Sequence, residues 1–80
     1  MNDEALFETL SQILRDVIGD DSIVLGPATQ RSEVPGWDSF AYINFIVAAE
    51  MQFGIKFGIA DVEAFANVGE IAAKVRALKA

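Results

Sequence analysis

Val34-Pro35-Gly36-Trp37-Asp38-Ser39-Phe40 joins a long irregular stretch to the longest mostly apolar run of this chain. Pro before Gly predicts a type II turn over residues 34–37, since proline presets the second turn position and the third requires a positive φ. Asp38-Ser39 then opens a helix, a short polar side chain being suited to satisfy a free N–H at a helix start. The chain contains no histidine and no cysteine. A serine nucleophile normally needs a neighbouring base, and thiol chemistry needs a thiol. No lysine is obviously placed as a substitute base for Ser39 either, so a hydrolase using this serine is disfavoured. Ser39 reads as a point of attachment, with any reactive group installed from outside.

Working outward, the helix that begins at Asp38 or Ser39 ends at Gly54, a residue suited to a left-handed C-cap. Before the turn, the pattern is irregular from Asp20 to Trp37, with Gly26-Pro27, Thr29-Gln30 and Pro35-Gly36 as breakers. A connection of that length is unusual in a compact domain and is often functional. Preceding it, Leu6, Leu10, Ile13, Leu14 and Val17 recur at steps of three and four, with Phe7 and Ile18 beside them. They predict a first helix capped by Asn2 or Asp3 and running to about Gly19. After Gly54, Ile55-Lys56-Phe57 alternates like a short extended segment, and Asp61 is placed to cap a short helix through Phe65. Asn67 with Glu70 forms a capping-box pattern for a last helix whose stripe is Val68, Ile71, Ala72, Val75 and Leu78. Three longer helices and one short one, with a long loop between the first two, predict an all-α four-helix bundle over a single domain, residues 1–80.

Composition narrows the function classes. An apolar fraction of 52% is enough to fold and opposes a disordered reading. A net charge of −6 opposes nucleic acid and anionic membrane as partners and favours basic protein surfaces. Eight of the acids lie between Asp3 and Asp38, whereas Lys74, Arg76 and Lys79 crowd the end. Asp20-Asp21 is the nearest approach to a metal cluster and reads as a polar loop. The acidic start Met1-Asn2-Asp3-Glu4 is unlike a secretory signal, and residues 40–49 reach only about half a membrane span. A cytoplasmic protein without membrane insertion, and a monomer, is expected.

The order of elements, together with Asp38-Ser39-Phe40, resembles the acyl carrier protein family over residues 6–78. The family's attachment motif is Asp-Ser followed by a large apolar residue, usually Leu. The resemblance implies that Ser39 receives 4′-phosphopantetheine from coenzyme A through a phosphopantetheinyl transferase, and that the arm's thiol carries cargo as a thioester. It further implies acyl-loading and acyl-transferring enzymes as partners, and no catalysis by the chain itself. Asp38 would cap the helix, leaving Ser39 to project outward, and a phosphodiester there would sit at the positive end of the helix dipole. Fatty acid, polyketide or lipid synthesis is the expected setting. An aminoacyl or peptidyl carrier is the alternative, although Gly36-Trp37 departs from the Gly-Gly usual in peptidyl carriers. An unmodified acidic helical adaptor is the alternative of another class.

One departure from the family concerns the second helix. At 100° per residue, Tyr42, Phe45, Ile46, Ala49 and Phe53 share one face, and Phe40, Asn44, Val47 and Met51 share the opposite one. Typical members carry several acids on that outer face for docking on basic enzymes. Here Glu50 is the one acid after Ser39 on the helix. Phe40, Val47 and Met51 are therefore the candidate partner-binding residues, through apolar contact. Six phenylalanines are available to fill any cavity between helices, which disfavours a buried cargo. Trp37 is expected to pack the loop on the bundle.

Overall fold

A computed structural model describes residues 2–79. Its helices are α1 (Asp3–Ile18), α2 (Ser39–Phe53), α3 (Ile59–Ala64) and α4 (Val68–Lys79), with a 3-10 turn at Arg31–Glu33 inside the long loop. No strand occurs among the described residues. This is the four-helix arrangement that the periodicity predicts.

Local chemistry sets the helix ends. The Asn2 side chain accepts from Ala5 N at 2.7 Å to start α1, and Gly19 ends it at φ 81°. Gly54 closes α2 at φ 67°. Gly36 has φ 86° and Trp37 N donates to Val34 O at 3.1 Å, which completes the expected turn. The cap of α3 differs from expectation: Gly58 precedes the helix, and Asp61, inside the first turn, accepts from Gly58 N at 3.3 Å. At α4, Asn67 Oδ1 accepts from Glu70 N at 2.9 Å, while Glu70 reaches past Asn67 to Ala66 N, also at 2.9 Å.

Leu6, Leu10 and Leu14 of α1, Phe45, Ile46, Ala49 and Phe53 of α2, and Val68, Ile71, Ala72 and Val75 of α4 form one core. Four expected stripe members differ, and of these Ile13 and Val17 of α1 are only half-buried. Tyr42 is also half-buried, and Leu78, 40% exposed, lies outside the core near the end of α4.

The long loop supplies core residues of its own. Ile23, Leu25 and Trp37 are buried, while Val24 between the first two is exposed. Buried peptide groups need partners, and the loop finds them on two helices. Ser11, mid-α1 and fully buried, donates to Phe7 O at 2.7 Å and accepts from Leu25 N at 2.9 Å. Arg15 Nε donates to Ile23 O at 2.7 Å. At the other end, Val68 N donates to Thr29 O and Gly69 N to Pro27 O, each at 2.9 Å. The first N–H groups of a helix have no acceptor within it; here loop carbonyls fill that role.

That junction leaves no room for a side chain at Gly69, whose Cβ would meet the Pro27 carbonyl oxygen at 2.5 Å. Gly69→Ala should therefore destabilise by about 1–3 kcal/mol in urea titration, although glycine to alanine in an open helix stabilises by about 0.5–1 kcal/mol. Wild-type or higher stability in Gly69→Ala would show that loop and helix do not meet backbone to backbone.

Candidate functional site

Asp38 stands just before α2 with its carboxylate turned back, accepting from Ala41 N at 2.8 Å. The carboxylate thus satisfies an N–H that the helix leaves open. Ser39, the first helical residue, is exposed. Its hydroxyl lies at the positive end of a helix of 15 residues, a setting that favours an anion.

A cleft of about 840 Å³ opens beside it. Gln30 and Arg31 of the loop, Trp37 to Ser39, Tyr42 and Ile43 of α2, and Val62 and Glu63 of α3 are among its walls. Tyr42 braces it: the hydroxyl donates to Val62 O at 2.7 Å, tying α2 to α3. Arg31 lies over the Tyr42 ring, with Cζ 4.7 Å from the centroid. Trp37 is packed edge-on against Phe45 at 5.1 Å between centroids and is 4% exposed, which fastens the loop to the bundle. Its indole Nε1 is buried without a hydrogen-bond partner among the described residues. Such an N–H costs about 1–3 kcal/mol when left unmet.

On α2 the expected outer-face residues are exposed together: Phe40 is 66%, Val47 47% and Met51 79% accessible. Ile43, at 54%, extends the same apolar strip and also lines the cleft. Sequence reasoning missed it because it sits 60° from the stripe's axis, although its neighbour at Phe40 signals the same side. Glu50 contributes nothing to that face. Its carboxylate accepts from Phe57 N at 2.8 Å, which holds the segment after α2. Arg31 and Tyr42 were missed as well; the available signal was that Arg31 is the one cation between Asp20 and Asp38. Among the described residues no group of acids could hold a metal ion, and no helix is long and apolar enough to cross a membrane.

A family model described as phosphopantetheine attachment site matches residues 8–75. The chain belongs to this family. The chain is also similar to an acyl carrier protein of Helicobacter pylori (strain ATCC 700392 / 26695), 27% identical over 67 residues that cover 84% of this chain and 86% of that relative. The solution NMR structure of the holo acyl carrier protein from Geobacter metallireducens matches with a TM-score of 0.84 and 36% identity, over 91% of this chain and 84% of that one. Members of the phosphopantetheine attachment family bear that group covalently. The residues here fit it: an exposed hydroxyl at a helix start, an adjoining cleft, and a buried indole N–H that the fold leaves unused.

Burial raises the Tyr42 hydroxyl's pKa above its ordinary value of about 10, with Arg31 opposing in the lesser sense. A group whose folded pKa is raised contributes stability that is fully present below its unfolded pKa and is lost as pH rises through the folded one. Stability should therefore decline above about pH 10, and decline less steeply in Tyr42→Phe. Absorbance of the single tyrosinate reports the ionisation directly. An unshifted titration would show that the Tyr42–Val62 brace is open in solution.

Proposed function

We propose that this chain is a non-catalytic carrier that bears 4′-phosphopantetheine on Ser39 and passes thioester-bound acyl groups between biosynthetic enzymes. The observation that carries this reading is the exposed Ser39 hydroxyl at the first position of α2, beside an Asp38 already committed to Ala41 N, within the matched attachment-site region. When bound, the arm supplies a thiol for thioester formation, which the chain, lacking cysteine, does not itself provide. The chain's residues have simpler duties. Asp38 holds the helix start, leaving the Ser39 oxygen accessible to a transferase. The α2 terminus favours the phosphate charge, and the cleft wall offers a surface along which an arm can lie.

Acyl cargo follows from the likeness to acyl carrier proteins. The partners are then a phosphopantetheinyl transferase and enzymes that load or remove acyl groups. With coenzyme A as donor of the arm, the reading implies a cytoplasmic setting. An intact-mass measurement after incubation with coenzyme A, magnesium and a broad-specificity transferase tests the assignment. One arm should be gained per chain, and none by Ser39→Ala. Because Asp38 is the cap, Ser39→Ala should cost less than about 0.5 kcal/mol of stability. A mass gain that persists in Ser39→Ala would assign the arm elsewhere.

For the enzymes that accept cargo, Phe40, Val47 and Met51 are the docking residues in this reading, joined by Ile43. An apolar strip of this kind exchanges water for a partner's apolar surface. Met51→Glu should leave stability within about 0.5 kcal/mol of wild type, since Met51 is 79% exposed. Transfer of cargo by the cognate enzyme should nevertheless slow by at least about tenfold, the cost of drawing a carboxylate into an apolar contact. Equal transfer rates for the two proteins would remove Met51 from the interface.

A further inference from the structure

Arg31 is the only cation among the residues that line the cleft beside Ser39. The ion pairs among the described residues use Arg15, Lys74 and Arg76 and leave Arg31 out. Its side chain is placed all the same, over the Tyr42 ring at 4.7 Å. A guanidinium lying over a ring spends its face and keeps its in-plane N–H donors. The backbone beneath is fixed too: Gln30 N donates to Glu33 Oε1 at 2.7 Å, Val34 N to Arg31 O at 3.2 Å, and Thr29 O accepts from Val68 N at 2.9 Å. Ser39 lies three residues before Tyr42, so their Cβ atoms are about 5–6 Å apart on one helix flank. Arg31, Tyr42 and Ser39 line one cleft, so the cation and the Ser39 hydroxyl face the same space.

Resting on the assignment of the arm to Ser39, we propose that Arg31 is the residue that pairs with the arm's phosphodiester and holds the arm against the cleft. A phosphodiester keeps its single negative charge throughout the working pH range, and guanidinium is the side chain best matched to phosphate oxygens. Tyr42 serves as the platform that keeps the guanidinium within reach. The remaining charged wall residues, Asp38 and Glu63, are acids, so they repel the phosphate and sharpen the choice of Arg31. Asp38 is also the α2 cap and is not free to turn away.

The test compares the arm-free and arm-bearing forms of wild type, Arg31→Ala and Arg31→Lys, each variant against itself, so that any loss from the Tyr42 stack cancels. Intact mass first confirms one arm per chain, absent in Ser39→Ala. At low ionic strength the wild-type arm-bearing form should melt about 2–4 °C above the arm-free form, the scale of one exposed ion pair in a domain this small. The gap should shrink at high salt, narrow in Arg31→Ala to what the α2 terminus alone gives, and stay nearer its full size in Arg31→Lys. The phosphodiester resonance in phosphorus NMR should shift between wild type and Arg31→Ala. A melting gap of equal size in Arg31→Ala, or a resonance that ignores the substitution, overturns the Arg31 contact while leaving the attachment site standing. Failure of wild type to take the arm at Ser39 overturns both.

Discussion

The junction between the long loop and the first turn of α4 governs how this molecule is put together. The initial N–H groups of α4 need acceptors, and the loop needs somewhere to put carbonyls it cannot satisfy internally. Thr29 O and Pro27 O meet Val68 N and Gly69 N, and the two deficits cancel. Ser11 and Arg15 of α1 fix the earlier part of the loop in the same manner, through Leu25 N and Ile23 O. A segment with little regular structure is thereby tied to α1 and α4 and forms one wall of the cleft. The cleft, the position of Arg31 and the approach to Ser39 all depend on that wall.

Duties at the start of α2 are divided between adjacent residues. Trp37 is buried and anchors the turn on Phe45. Asp38 takes the helix cap. Ser39, relieved of both tasks, is exposed. Capping by Ser39 itself would have drawn its oxygen onto the backbone and out of reach. The family match and the likeness to holo acyl carrier protein fit this division, in which a hydroxyl is displayed and the chemistry arrives on an added group.

Much of the fold was legible from periodicity. Most of the stripes of α1, α2 and α4, helix starts at Asn2 or Asp3 and at Asp38 or Ser39, and the left-handed Gly36 and Gly54 are short-range signals that hold, the caps falling on Asn2 and Asp38. What escaped depends on contacts between residues far apart in the chain. Ile23 and Leu25 carry no helical period, and their placement against α1 goes with partners distant in sequence, Arg15 Nε for Ile23 O and Ser11 Oγ for Leu25 N. Asp61 looked like a cap by residue type, yet Gly58 fixed the helix start three residues earlier. Leu78 continues the α4 stripe in sequence, yet it is 40% exposed and outside the core. At the candidate site, Asp38 and Ser39 were visible as a motif and Phe40, Val47 and Met51 as a face. The Arg31–Tyr42 stack was not, because it joins a loop residue to a helix residue across a turn no local pattern describes.

The use of Glu50 to hold Phe57 N has a kinetic consequence. Proteins that meet through complementary charge associate at up to about 10⁸–10⁹ M⁻¹s⁻¹ at low salt, against about 10⁵–10⁶ M⁻¹s⁻¹ without such guidance. With its one acid engaged by Phe57 N, α2 presents little negative charge to a partner's basic patch, whereas Asp3, Glu4, Glu8, Asp16, Asp20, Asp21 and Glu33 lie on α1 and the loop. In the proposed reading, attraction at a distance and final contact would then rest on different residues. If the strip is the docking face proposed above, a basic enzyme attracted to α1 and the loop would still have to reorient before meeting it. Under that reading, association would be slower and less dependent on salt than for a carrier guided by an acidic α2.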